Sequence, residues 1–381
     1  MGFSRQNTQD AQVWDSFNAG NPVRMPVVLG INPRVILLNP ALNVKQITFK
    51  QYMESPDTMM DIQLQFADYR DQNYAFDQQM DAQEQGWFIY VDFQNVFDAA
   101  WFGGTIEYPQ NNCPHTKPFL HDDNKNMLFE KGFPGAFEGL GQTGMEYYEY
   151  FLEQKQKGLT YKNKPIDSVG APFMNTDGPF TVACNIRGTA NFIIDLYEEP
   201  NYAEQLLSFI TEATIRRIKS WRKYLGQPER SGGMFFADDS IALLSMDDYT
   251  RFILPYHKRL IQELTDGSTP NSIHLCGDAS RFFVLLRDEL NIRTFDTGFP
   301  IDFAAVTKRL GPNVTVQGGV NVSLLLNGTA QQIYDETVRI IKEVTPNTKR
   351  FIMREANNLC PCTPPENIQA MYNAVLEHGW Y

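Results

Sequence analysis

From residue 166 to the end, short apolar runs of strand length alternate with helical patterns, and this alternation limits the fold more than any other feature. The runs are Ser168–Phe173, Met234–Asp239, Asn271–Gly277, Ile292–Asp296, Val314–Gly318 and Arg350–Glu355. Between them, Tyr202–Leu225 carries Leu206, Leu207, Ile210, Ile218, Trp221 and Leu225 near helical spacing and is closed by Gly226. Ser245-Met-Asp-Asp248 and Thr329-Ala-Gln-Gln332 are capping-box openings, and Thr363-Pro-Pro-Glu366 reads as cap, first-turn proline and returning glutamate. Upstream, Met25–Ile31 and Trp87–Asp92 add two more strand-like runs. Strands near 26, 87, 168, 234, 272, 292, 314 and 350, alternating with helices, predict an α/β fold: a closed (β/α)8 TIM barrel forming one domain over 1–381. An open doubly wound sheet is the alternative, but no glycine-rich phosphate loop follows any strand.

The remaining segments decorate that barrel. Residues 1–24 form a polar, helical N-terminal extension with Trp14 and Phe17 as anchors. Residues 42–85 carry Met53, Met59, Met60, Ile62, Leu64 and Phe66, which reads as helices packing into the core. Residues 93–165 read as a long, aromatic-rich and irregular insertion, interrupted by Pro109, Asn111, Asn112, Pro114 and Pro118. A net charge of −12 is a poor match for nucleic acid or an anionic membrane face, and no stretch is apolar for the length of a membrane span. The first residues are polar and lack a signal-peptide core. Five scattered cysteines are no disulfide framework, so the expected compartment is the reducing cytoplasm.

In such a barrel the reactive groups sit where strands end. His274 and Cys276 stand two residues apart on a strand, so both side chains project to one face. A thiolate and an imidazole make two-thirds of a zinc site, and Cys360-Pro-Cys362 after the last strand offers Cys360 as third ligand. The bland alternative is a histidine and a cysteine packed in the core. Asp238 and Asp239 are neighbouring carboxylates, one of which could stay protonated as a general acid; alternatively one caps the next helix and the other is solvated. Glu355 joins them as a third acid, while Asp92, Asn175, Asp296, Gln317 and Asn321 are candidates for binding substrate. Arg293, Arg350 and Arg354 could instead pair with the acids structurally. Cys113-Pro-His115 and His121 read as surface residues.

Gly178-Pro-Phe-Thr-Val-Ala183, the Asp238-Asp239 strand end, Leu254-Pro-Tyr-His-Lys-Arg259 and His274-Leu-Cys-Gly277 occur in that order. Arg309-Leu-Gly311, Gln317-Gly-Gly-Val-Asn321 and Thr363-Pro-Pro-Glu-Asn-Ile368 follow. Together they resemble the uroporphyrinogen decarboxylase superfamily, which also contains corrinoid-dependent methyltransferases, over a little more than half the chain. The resemblance implies a (β/α)8 barrel. The decarboxylase branch carries an arginine-rich stretch after the first strand, whereas Leu29-Gly-Ile-Asn-Pro-Arg34 has one arginine, and a −12 chain is a poor host for a many-carboxylate porphyrinogen. The methyltransferase branch implies zinc on a His-x-Cys pair plus a distant cysteine. His274 and Cys276 match the pair, but when the chain is anchored on Thr363–Asn367 the distant position falls at Asn357. Cys360, Cys362 or Glu355 would then have to complete the site.

The expectation is a zinc-dependent methyltransferase that moves a methyl group between a small methylated compound and a corrinoid (cobalamin) protein. Asp238 or Asp239 would give a proton to the leaving group. Trp87, Phe93, Phe97, Trp101 and Phe102 could wall a pocket for an aromatic methyl ether, while the ligands equally allow a thiol. The alternatives are a metal-independent decarboxylase of a smaller acid and a carrier that has lost its chemistry. A homodimer is compatible with such barrels, though no residue specifies one.

Overall fold

The computed structural model describes residues 7–77 and 86–381. The start of the expected N-terminal extension and the end of the methionine-rich stretch lie outside the described residues. Five strands form a parallel sheet in chain order: β3 (Phe235–Ala237), β4 (Asn271–Leu275), β5 (Ile292–Thr297), β6 (Thr315–Gly318) and β7 (Phe351–Met353). Parallel register sets Ala237 beside His274, His274 beside Asp296, Asp296 beside Gln317 and Gln317 beside Ile352, in one row across the sheet. Side chains alternate along β4: Asn271, Ile273 and Leu275 are buried, and His274 stands on the half-buried face. Earlier in the chain, β1 (Trp87–Tyr90) pairs in parallel with β2 (Lys164–Gly170), and Thr160–Tyr161 turns back antiparallel onto β2.

The closed eight-stranded ring expected from the sequence is not present as a hydrogen-bonded ladder among the described residues. The run near 26 makes a single parallel bridge, Val27 to Met353, with the Val28 N–H donating to Met353 O at 3.0 Å. Two local facts keep it short. Pro26 has no N–H to give, and the Val27 N–H is taken by the Asp77 carboxylate at 2.7 Å. At the other seam, the Ala237 N–H reaches Thr176 O at 3.0 Å, beyond the end of β2. The alternating order of strands and helices is therefore present, with two sheets held together by isolated backbone contacts.

The N-terminal extension is helical over Asn7–Asn18. Its Trp14 and Phe17 pack with Ile352 and Val28 in a small cluster separate from the main core. Arg350 lies 4.0 Å from the Phe17 ring and donates to Phe17 O at 2.5 Å. The 93–165 region is more regular than its prolines suggest, because Leu140–Gln156 is a 17-residue helix. Gly141 and Gly144 depress its sequence signal, yet a Cβ at Gly144 would come within 2.3 Å of the Phe173 ring. The glycine is a packing choice. Phe93, Trp101 and Phe102 are buried core residues, with the Arg217 guanidinium 4.9 Å from the Trp101 ring. The Thr329 capping box is formed. The one expected at Thr363 is not: that helix runs Pro365–His378, and the Thr363 hydroxyl donates to Cys360 O at 2.8 Å. None of the described helices is long and apolar enough to cross a membrane.

Arg24 and Asp77 form a buried two-pronged ion pair, with contacts of 2.9 and 2.6 Å, that also holds the Val27 N–H. Removing one partner strands the other charge in the core. Asp77→Ala is expected to lower stability by about 3–5 kcal/mol, read as a shift in the urea unfolding midpoint.

Candidate metal centre

At the end of β3 the chain turns sharply, and the two acids part company. Asp238 points inward and is fully buried. Its carboxylate accepts the N–H groups of Phe180 (3.1 Å) and Thr181 (2.8 Å) and the Thr181 hydroxyl (2.7 Å). It therefore satisfies the otherwise orphaned donors at the start of helix Pro179–Arg187. His257 Nε2 meets it from behind at 2.9 Å, and His257 Nδ1 is 3.0 Å from the Tyr249 hydroxyl. Gly178 permits this approach, since a Cβ there would lie 2.4 Å from Ala237 O and its φ of +83° suits glycine. Asp238 thus clamps the end of β3 to the start of helix Pro179–Arg187.

Asp239 turns the other way. Its Oδ1 accepts the Cys276 N–H at 2.7 Å and lies 4.0 Å from His274 Nε2. His274 Nε2 is 3.1 Å from Cys276 Sγ. One ligand atom from each of Asp239, His274 and Cys276 lies within 4.8 Å of the others. An imidazole nitrogen, a thiol sulfur and a carboxylate oxygen are the donor types zinc takes, and three protein ligands leave a fourth position for substrate. Cys360 is not part of this group: its carbonyl is tied to Thr363, and Cys362 is exposed. Asn357, at the position where the family pattern places its distant cysteine, does reach the site. Its Oδ1 accepts from Cys276 Sγ at 3.4 Å.

Behind the group stands a chain of charges. Asp296 Oδ2 meets His274 Nδ1 at 2.8 Å, and Arg354 Nη1 donates to Asp296 Oδ1 at 2.5 Å. Arg354 Nη2 also donates to Glu355 Oε1 (3.0 Å) and to Asn357 O (3.1 Å). The Gly30 N–H holds the same Glu355 oxygen at 2.7 Å, while Glu355 Oε2 is buried without a partner. Burial opposes charge on His274, but the hydrogen bonds to Asp296 and Cys276 overcome it and raise its pKa to about 10. Burial raises Cys276, further helped by the charge of Asp239 and opposed by His274. Asp296 stays below the usual carboxylate range despite burial, because His274 and Arg354 favour its charged form. Burial lifts Glu355 to about 7 against the pull of Arg354.

The other candidates are satisfied elsewhere. Asp92 is buried and accepts from the Tyr52 hydroxyl and the Gln94 N–H, each at 2.8 Å. Asn175 offers its carbonyl to Arg217 at 2.8 Å. The Asn321 side chain caps helix Val322–Asn327 by accepting from the Ser323 N–H at 2.8 Å. Gln317 lies in the same row as Asp296, and its backbone carbonyl accepts the Thr297 hydroxyl at 2.8 Å. Asp177 was not anticipated. Half-buried, its carboxyl is pushed well up by burial and then by the charges of Asp98, Asp239 and Asp238. Its backbone N–H is held by Asp98 at 2.8 Å. The Asp-Gly-Pro-Phe run was the available signal, and its acid went unread.

The family model for uroporphyrinogen decarboxylase (URO-D) matches residues 172–378. The chain belongs to the URO-D family. A methylated-thiol–coenzyme M methyltransferase of Methanosarcina mazei is 29% identical over 203 residues, 52% of this chain and 51% of that protein. The match thus spans about half the length of that relative. Uroporphyrinogen decarboxylases of Myxococcus xanthus and Rickettsia bellii are 26% and 27% identical, over 65% and 73% of the chain and 67% and 76% of theirs. A solved methyltransferase structure from Methanosarcina mazei superposes with a TM-score of 0.65 over 95% of this chain and 96% of that one, at 16% identity. The URO-D member described here therefore shares that fold along nearly its whole length.

Two outcomes test the division of labour. Asp238→Ala leaves His257 and the donors of helix Pro179–Arg187 unpaired and is expected to cost about 3–5 kcal/mol in denaturant, whereas Asp239→Asn should unfold within about 0.5 kcal/mol of wild type. Glu355 holds its proton more tightly when folded, so its stabilising contribution is intact below its ordinary value of 4.5 and is lost as pH rises through about 7. The difference in unfolding free energy between wild type and Glu355→Gln should accordingly change by ~3 kcal/mol between pH 4 and pH 8.

Proposed function

We propose that this URO-D member is a methyltransferase that moves a methyl group between a small methylated substrate, a thiol in preference to an aromatic ether, and a corrinoid protein, with zinc on Asp239, His274 and Cys276. The convergence of three different metal-ligating side chains at the ends of adjacent parallel strands carries the reading. The thiol preference has two supports. One is the methylated-thiol activity named for the Methanosarcina relative. The other is that Phe93, Trp101 and Phe102 are committed to core packing. In this reading the third ligand is Asp239 in place of Cys360.

Zinc held there supplies Lewis-acid polarisation of the heteroatom that carries or receives the methyl group. The chain's own residues do the rest. Asp296 fixes the His274 ring, so that Nε2 faces Cys276 and Asp239. Burial and the charges of Asp98, Asp239 and Asp238 raise the Asp177 carboxyl, which makes it the acid that would supply a proton to a departing thiolate. Decarboxylation of a smaller acid is the rival and needs neither metal nor Cys276. The site offers it little: Arg34, the arginine of the Leu29–Arg34 segment, is spent on Gln94 and Asn95.

Protein purified without chelator should carry about one zinc per chain, lost in Cys276→Ser. Transfer from methylcobalamin to a small thiol should fall at least ~100-fold in that variant. No zinc in either protein, or full transfer by the variant, would overturn the reading.

A further inference from the structure

Three polar groups, one from β5 and two from the segment after β7, converge on one buried guanidinium. Arg354 is 7% exposed. Its Nη1 holds the Asp296 oxygen that does not face His274, and its Nη2 holds both Glu355 and the backbone oxygen of Asn357. Asp296 in turn grips His274 Nδ1 at 2.8 Å, while the Asn357 side chain touches Cys276 Sγ at 3.4 Å. A single side chain therefore braces the group on both sides, the histidine through a carboxylate and the cysteine through a loop. The first segment of the chain is shaped around it: a Cβ on Gly30 would sit 1.6 Å from Arg354 Nη2. Asn357 takes a φ of +80°, a left-handed conformation that the bond from Arg354 to its carbonyl helps to hold.

We infer that Arg354 is the positioning residue of the Asp239–His274–Cys276 site, setting the His274 ring through Asp296 and the Asn357 loop through its carbonyl. The inference rests on the metal-site reading above. Arg354 touches none of the three ligating side chains, so its effect is on their geometry. A guanidinium suits the task because its fork of donors can serve Asp296, Glu355 and Asn357 at once. Lysine, a single ammonium, can serve Asp296 but not all three.

The test measures zinc affinity by competition with a chromophoric chelator for wild type, Arg354→Met, Arg354→Lys and Asp296→Asn, alongside the unfolding midpoints of the metal-free proteins. Arg354→Met is expected to bind zinc roughly 10- to 100-fold more weakly, as loss of an outer-shell partner does, with Arg354→Lys intermediate. The visible spectrum of the cobalt(II) form should change in Arg354→Met, since a merely structural loss would leave the ligand field intact. Asp296→Asn keeps Arg354 paired with Glu355 and should weaken zinc similarly, so it decides the matter if Arg354→Met does not fold. Wild-type zinc affinity and an unchanged cobalt spectrum in a folded Arg354→Met would overturn the inference while leaving the metal site standing. Wild-type affinity in Asp296→Asn would overturn it likewise. A wild type that binds no zinc would overturn the metal-site reading itself, and the inference with it.

Discussion

The Asp238 carboxylate is the interaction on which the rest of the site depends. It ties together the end of β3, the start of helix Pro179–Arg187 and, through His257, helix Leu254–Leu264. With every contact made inside the protein, its burial needs no compensation from solvent. Asp238 is held inward just past the end of β3, and the helical turn Asp239–Leu243 that follows starts from there, with Asp239 on the side of Cys276. The family motifs around residues 178–183, 238–239 and 254–259 are therefore one device seen in three places.

The same economy governs the other half of the site. Parallel register puts His274 beside Asp296, and the residue after β7 is the arginine that binds Asp296. Asn357 occupies the expected place of a soft sulfur ligand with an amide, while Asp239 brings a harder oxygen from across the sheet. A mixed nitrogen, sulfur and oxygen set keeps the charge of a His/Cys/Cys set but is less thiophilic.

Much of this was legible in the chain. Period-two burial on β4 and the His-x-Cys spacing placed His274 and Cys276 side by side, and the position that the motif anchor at Thr363–Asn367 marks, Asn357, lies against Cys276. What the sequence could not convey was direction. Nothing local distinguishes Asp238 from Asp239; the difference lies in a helix start some sixty residues upstream and a histidine downstream. Cys360 was drawn in by residue type, and its carbonyl accepts the Thr363 hydroxyl. The helix at Leu140–Gln156 hid behind glycines that exist for Phe173. The strand near 26 dissolved because a distant aspartate claimed its N–H.

The way the chain's two ends meet has a consequence for the order of assembly. Trp14 and Phe17 rest on Ile352, Val27 bridges Met353, and the Met25 N–H donates to Gly379 O at 2.8 Å. On a ribosome, the segment carrying Trp14 and Phe17 has no seat until the strand Phe351–Met353 and the helix Pro365–His378 have been made. It must wait, with two large aromatic side chains uncovered, while more than three hundred residues follow. A segment made early is thus placed late, and contacts of such long sequence separation are the slow ones to form.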